Sequence, residues 1–122
     1  MIKSCIPIIS VADVKKSLRF WSEALGLAVD REMYEDDQLI GCMVYNEYIY
    51  FWLNQLKGRE ISDDYDGIRL YWAPTDIHTM RSRLLDMGFA VSAIEERDYG
   101  QTEFFVIDDD GYNHCFGVAT NQ

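Results

Sequence analysis

The strongest constraint in this sequence is that one pattern occurs twice. An aspartate opens a helical stripe and a glycine closes it at Asp13…Leu25-Gly26-Leu27-Ala28-Val29, and again at Asp76…Met87-Gly88-Phe89-Ala90-Val91. Val14, Leu18, Trp21 and Leu25 recur at helical spacing in the first copy, and Ile77, Met80, Leu84 and Met87 do so in the second. Asp13 and Asp76 can cap the helix starts, and Gly26 and Gly88 suit the left-handed residue that ends a helix. Strand-like segments flank each helix: 4–10, 28–33, 39–45 and 48–53, then 68–72, 89–94 and the hairpin within 101–117. The pattern predicts an α+β domain over residues 1–122, made of two βαβββ modules at about 1–57 and 66–120. The polar stretch 55–67 joins them, Asn46-Glu47 and Asp108-Asp109-Asp110-Gly111 turn between strands, and Glu95 to Tyr99 reads as a loop. Pro7 lacks an N–H, so the first strand belongs at a sheet edge. Each helix covers one face of its sheet and leaves the other free for a ligand cavity or a dimer interface.

Charge narrows the partners. A net charge of −10 argues against nucleic acid, whose phosphates need a basic footprint, and favours steering of cations. A solubilising surface explains the same charge. Aromatics make up 14% of the chain, a richness that suits core packing, a stacking pocket or an interface. Cys5, Cys42 and Cys115 are scattered and odd in number, and the apolar run in MIKSCIPIIS is too short for a secretory segment or a membrane span. Both features read as free thiols in a reducing cytoplasm.

His114 and Cys115 are the first residues to suggest chemistry. Strand neighbours point to opposite faces, so the imidazole is poorly placed to deprotonate that thiol. Cys115 reads as a small buried residue. His78 falls inside the second helix, on its exposed side.

Three stretches together resemble the vicinal-oxygen-chelate superfamily of glyoxalases, extradiol dioxygenases and bleomycin-resistance proteins. They are Val11-Ala12-Asp13-Val14-Lys15-Lys16-Ser17-Leu18-Arg19-Phe20-Trp21, then Leu25-Gly26-Leu27, then Glu103-Phe104-Phe105-Val106-Ile107-Asp108-Asp109-Asp110-Gly111-Tyr112. Asp109 stands where the family usually has proline. The resemblance implies paired βαβββ modules whose curved sheets form half-open barrels around a pocket, the glyoxalase/bleomycin-resistance fold. Metal-dependent members carry ligands at positions that fall near Ile6, Trp52, Gly67 and Cys115, and only the last could ligate through its side chain. The expectation is therefore no metal and no cofactor.

Strand parity extends outward from those positions. It places Tyr48, Tyr50 and Trp52 on one pocket-facing strand, Arg69 and Tyr71 on another, Asn113 and Cys115 on a third, and Glu103 with Phe105 on a fourth. This aromatic set suits a flat ligand held by stacking, and it also suits a dimer interface. Ile6-Pro7-Ile8 and Phe20-Trp21 resemble the bleomycin-resistance proteins most closely. That resemblance implies a homodimer, with exchanged N-terminal strands hinged near Pro7, that sequesters a cationic aromatic antibiotic without catalysis. Two alternatives stand beside it: a lyase or isomerase of the glyoxalase class with Glu103 as general base, and a structural or regulatory dimer with no ligand.

Overall fold

A computed structural model of the chain describes residues 1–56, Gly58 and 68–121. The expected linker 55–67 lies outside the described residues except at Gln55, Leu56 and Gly58. The chain gathers into two compact units, Met1–Glu60 and Ile61–Gln122.

The first unit runs β1 (Ile8–Val11), α1 (Val14–Leu18), a wider π-helical stretch (Arg19–Ala24), β2 (Ala28–Glu35), β3 (Gln38–Tyr45) and β4 (Tyr50–Gln55). Its sheet has the order β1-β4-β3-β2, with β1 parallel to β4 and the other pairs antiparallel. The second unit repeats the plan with β5 (Leu70–Trp72), α2 (Ile77–Asp86), β6 (Ala90–Val91), β7 (Glu95–Glu96), β8 (Gln101–Ile107) and β9 (Asn113–Ala119). Here β5 lies parallel to β9, β9 pairs with β8, and β6 and β7 both pair with β8. In both units the first strand enters beside the last, the mark of one βαβββ topology used twice. The fold is α+β, and neither sheet closes into a barrel among the described residues.

The helix starts match in detail. Asp13 Oδ1 accepts the Lys16 N–H at 3.0 Å, and Asp76 Oδ1 accepts the Thr79 N–H at 2.9 Å. Gly26 and Gly88 end the two helices at φ 77° and 85°, where a side chain would strain the backbone. Along each sheet, alternate residues enter a helix-covered core. Val44, Phe51 and Leu53 do so in the first unit, where Phe51 meets Trp21 at 5.3 Å between ring centroids. In the second unit Phe104, Phe116 and Trp72 form a ring stack, with Phe104 and Phe116 5.0 Å apart and nearly parallel.

Several boundaries differ from the sequence reading. The first strand starts at Ile8 rather than at residue 4. Pro7 cannot donate, and its carbonyl instead accepts the Trp52 N–H at 2.9 Å. The first helix widens after Leu18, and the Leu25 N–H reaches back five residues to Phe20. Phe20, Trp21 and Ala24 are the buried residues of that stretch, while Leu18 and Leu25 of the expected stripe are only partly buried. The strand expected at 28–33 continues to Glu35 through a bulged stretch, with Arg31 at φ 52°. The 89–94 strand shrinks to Ala90–Val91, and the expected loop at Glu95 contains β7. No helix of the described residues is long and apolar enough to cross a membrane.

Candidate ligand-binding faces

Each sheet has a face that its helix does not cover. In the first unit this face carries Tyr50 and Trp52 of β4 opposite Tyr45 and Met43 of β3. Tyr45 and Tyr50 stack with centroids 5.9 Å apart and planes 8° from parallel. A cavity of about 630 Å³ opens over them, lined also by Ser4, Cys5, Ile6, Asp30, Arg31 and Met43. Tyr50 remains half exposed, so one flank of the stack is available to a flat ligand. Tyr48 corrects the sequence reading. β4 begins at Tyr50, and Tyr48 belongs to the preceding turn at 80% exposure. Asn46 Oδ1 accepts the backbone N–H groups of Tyr48 and Ile49 at 2.8 and 3.0 Å, which lengthens the turn and removes Tyr48 from the strand alternation.

In the second unit the open face centres on Glu103. Register sets Glu103 opposite Gly117, and Tyr71 and Phe105 opposite Cys115. Glu103 is 2% exposed. Its Oε2 accepts the Tyr71 hydroxyl at 2.7 Å, its Oε1 accepts the Tyr99 hydroxyl at 2.5 Å, and Arg97 Nε lies 3.4 Å from Oε1. Burial alone would raise its carboxyl pKa. The hydrogen bonds from Tyr71 and Tyr99 and the Arg97 charge outweigh burial and hold it below the ordinary value, so the group is ionised. Tyr71 moves the other way: burial of its hydroxyl, then the bond to Glu103, push its pKa well up. The ring of Tyr71 lies across β9, where a Cβ on Gly117 would overlap its hydroxyl. Arg97 also pairs with Glu95 at 3.0 Å and covers the Phe105 ring at 5.7 Å.

The remaining expected residues divide. Phe105 and Asn113 line a smaller cavity of about 360 Å³ beside Ser92 and Ile107. Arg69 is exposed just before β5, and its charge acts on Cys115. Two contributors escaped the sequence reading: Arg97 and Tyr99, in the turn between β7 and β8. The Arg97 N–H reaches the Gln101 carbonyl at 2.7 Å, and the Gly100 N–H reaches the Arg97 carbonyl at 3.2 Å. Asp98-Tyr99-Gly100 is thus a three-residue hairpin loop, and its glycine was the available signal.

His114 and Cys115 part as strand neighbours do. His114 is buried on the helix-covered side, where Trp72 Nε1 donates to its Nδ1 at 2.9 Å and its Nε2 meets Asp108 Oδ2 at 2.8 Å. An indole N–H only donates, so Nδ1 carries no hydrogen and the ring's proton sits on Nε2, facing Asp108. Cys115 lies on the open side near Glu103, and burial, then the Glu103 charge, push its thiol up to about 11. Burial also lifts Cys42 to about 11. At pH 8 a thiol with that pKa is ionised to the order of 10⁻³. Labelling of the native protein with a thiol-disulfide reagent should therefore modify exposed Cys5 within minutes and leave Cys42 and Cys115 intact. Fast labelling of Cys115, read by peptide mass spectrometry, would refute that placement.

A metal centre does not fit the residues present. Ile6 and Trp52 carry no suitable ligand atom and Gly67 lies outside the described residues, which leaves Cys115 as a single thiol. Among the described residues no three His, Cys, Asp or Glu side chains converge.

No protein-family model matches the sequence, and no curated protein matches it. Solved structures do match, over nearly the whole chain. A glyoxalase family protein from Enterococcus faecalis superposes with a TM-score of 0.79 at 16% identity, covering 95% of this chain and 97% of that one. SMU.1112c gives 0.77 at 21% identity, covering 97% and 100%. TnmS3, an antibiotic binding protein from Streptomyces sp. CB03234, gives 0.67 at 17% identity, covering 98% of each chain. At these identities the likeness is one of fold: this chain has the fold of the glyoxalase-family proteins.

Proposed function

We propose that the protein binds a small molecule on its open aromatic faces, without a metal, and that the ligand is a cationic, flat-tailed antibiotic of the bleomycin type. The observation that carries this reading is the Tyr45–Tyr50 stack lining a cavity of about 630 Å³. A stacked pair with one flank open can extend its stack by one planar group, and the volume falls within the range of small-molecule sites. The antibiotic-binding neighbour of the same fold supports the choice of ligand class. The net charge of −10 supports a cation. A cytoplasmic homodimer, with N-terminal strands exchanged about Pro7, completes the proposal.

A glyoxalase-class lyase using Glu103 as base has the hydrogen bonds of the site against it. Both carboxylate oxygens are occupied by Tyr71 and Tyr99, and those bonds with the Arg97 charge lower the carboxyl, which weakens it as a base.

Titration calorimetry with bleomycin and phleomycin tests the proposal. The expected result is saturable heat at micromolar protein, weakened about tenfold by Tyr50→Ala through loss of one stacking partner. No heat from either drug overturns the antibiotic assignment.

A further inference from the structure

The second unit holds an arrangement that the stacking cavity of the first does not explain. A phenol has one hydrogen to donate. Tyr71 and Tyr99 direct theirs at the two oxygens of one buried carboxylate, at 2.7 and 2.5 Å. Gln101 Oε1 lies 3.1 Å from the Tyr71 hydroxyl, farther than Glu103, so the carboxylate holds that proton. Both phenol oxygens are left with lone pairs only. Both rings stay open, at 54% and 63% exposure. A phenol hydrogen-bonded to an anion gains electron density, which strengthens the negative face of its ring. The charge nearby is net negative: Glu95, Glu96, Asp98 and Glu103 stand against Arg97, which Glu95 and Glu103 share, and Arg69 beyond Cys115.

We infer that Tyr71 and Tyr99 form a subsite for an organic ammonium group, which they receive on their ring faces and phenol oxygens. Glu103 does not touch the cation: it fixes the two hydroxyls and is a positioning residue. Gly117 is part of the device, since any side chain there would displace Tyr71. An anionic or hydrogen-bond-accepting group would meet lone pairs and negative ring faces, and is excluded. The inference rests on the binding function proposed above and adds the charge and polarity of one ligand group.

The test uses choline and its neutral isostere 3,3-dimethylbutan-1-ol as probes, titrated into the full-length, isotope-labelled protein and followed by amide NMR. Saturable shifts around Tyr71, Tyr99, Gly100 and Gly117 are expected from choline only. Tyr99→Leu, at an exposed turn position, should weaken choline binding about threefold. Glu103→Gln should weaken choline binding by a similar factor while leaving the amide spectrum away from Tyr71, Tyr99 and Gly117 unchanged, which a loss of packing would not do. Equal shifts from both probes, or choline shifts that survive Tyr99→Leu and Tyr71→Leu together, overturn the subsite. Saturable antibiotic heat that depends on Tyr50, with no choline response in the second unit, refutes the subsite and leaves the binding function standing. Choline-selective shifts without antibiotic heat uphold the subsite and refute the antibiotic.

Discussion

Asp108→Ala should destabilise the protein by about 3–5 kcal/mol, because three donors lose one buried acceptor and each donor left unsatisfied costs about 1–3 kcal/mol. Three partners lose their acceptor. Asp108 Oδ1 takes the backbone N–H groups of Asp110 and Tyr112 at 2.9 and 3.0 Å, and Oδ2 meets His114 Nε2 at 2.8 Å. The His114 contact matters most. Its Nδ1 is already committed to Trp72, so the Nε2 proton cannot move to the other nitrogen without breaking that bond. Alanine would remove the acceptor that this N–H faces, beside the Trp72 ring. The expected loss of melting temperature is roughly 10–20 °C. Asp108→Asn keeps an acceptor for the turn amides and should cost about half as much. Thermal and urea unfolding of the two variants measures this directly. A cost for Asp108→Ala within about 1 kcal/mol of zero would mean the triad does not hold the last hairpin together.

Glu103→Leu comes second, at about 2–4 kcal/mol near neutral pH, because Tyr71, Tyr99 and Arg97 all lose a charged acceptor. The exposed rings can turn toward water, which keeps this cost below that of Asp108. The effect has a pH signature. The folded carboxyl titrates below its ordinary 4.5, so ionised Glu103 contributes its full stability above about pH 4.5. That contribution is lost as pH falls through the lower, folded value. The stability gap between the wild type and Glu103→Leu should therefore stay level from pH 7 to pH 5 and close with further acidification. A gap that widens in acid would mean the carboxyl is raised rather than lowered, and would revive Glu103 as a general base.

Much of the fold could be read from local chemistry. The Asp caps and Gly stops at 13/26 and 76/88 announce two helices of the same design, and side-chain parity along β9 separates His114 from Cys115 without any coordinates. Parity failed where a turn changed length. Asn46 captured two amides and pushed Tyr48 out of the strand. The expected stripe through Val14, Leu18, Trp21 and Leu25 was centred off the buried face, which runs through Val14, Ser17, Phe20, Trp21 and Ala24. Glu103 was legible as a face residue, but its partners Arg97 and Tyr99 were not. They reach it from a hairpin loop, and the alternation rule says nothing about where a loop side chain points. The charge state of Glu103 followed from those partners, and so could not be read before they were placed.

The most direct measurement is a crystal structure of the protein soaked with the tightest ligand of the calorimetric series. Ligand binding on the aromatic faces predicts density for a planar group against Tyr50, and no metal peak at Cys115 or Glu103. A metal ion held by either of those side chains would contradict the proposed function, and so would ligand density confined to the helix-covered sides of the sheets.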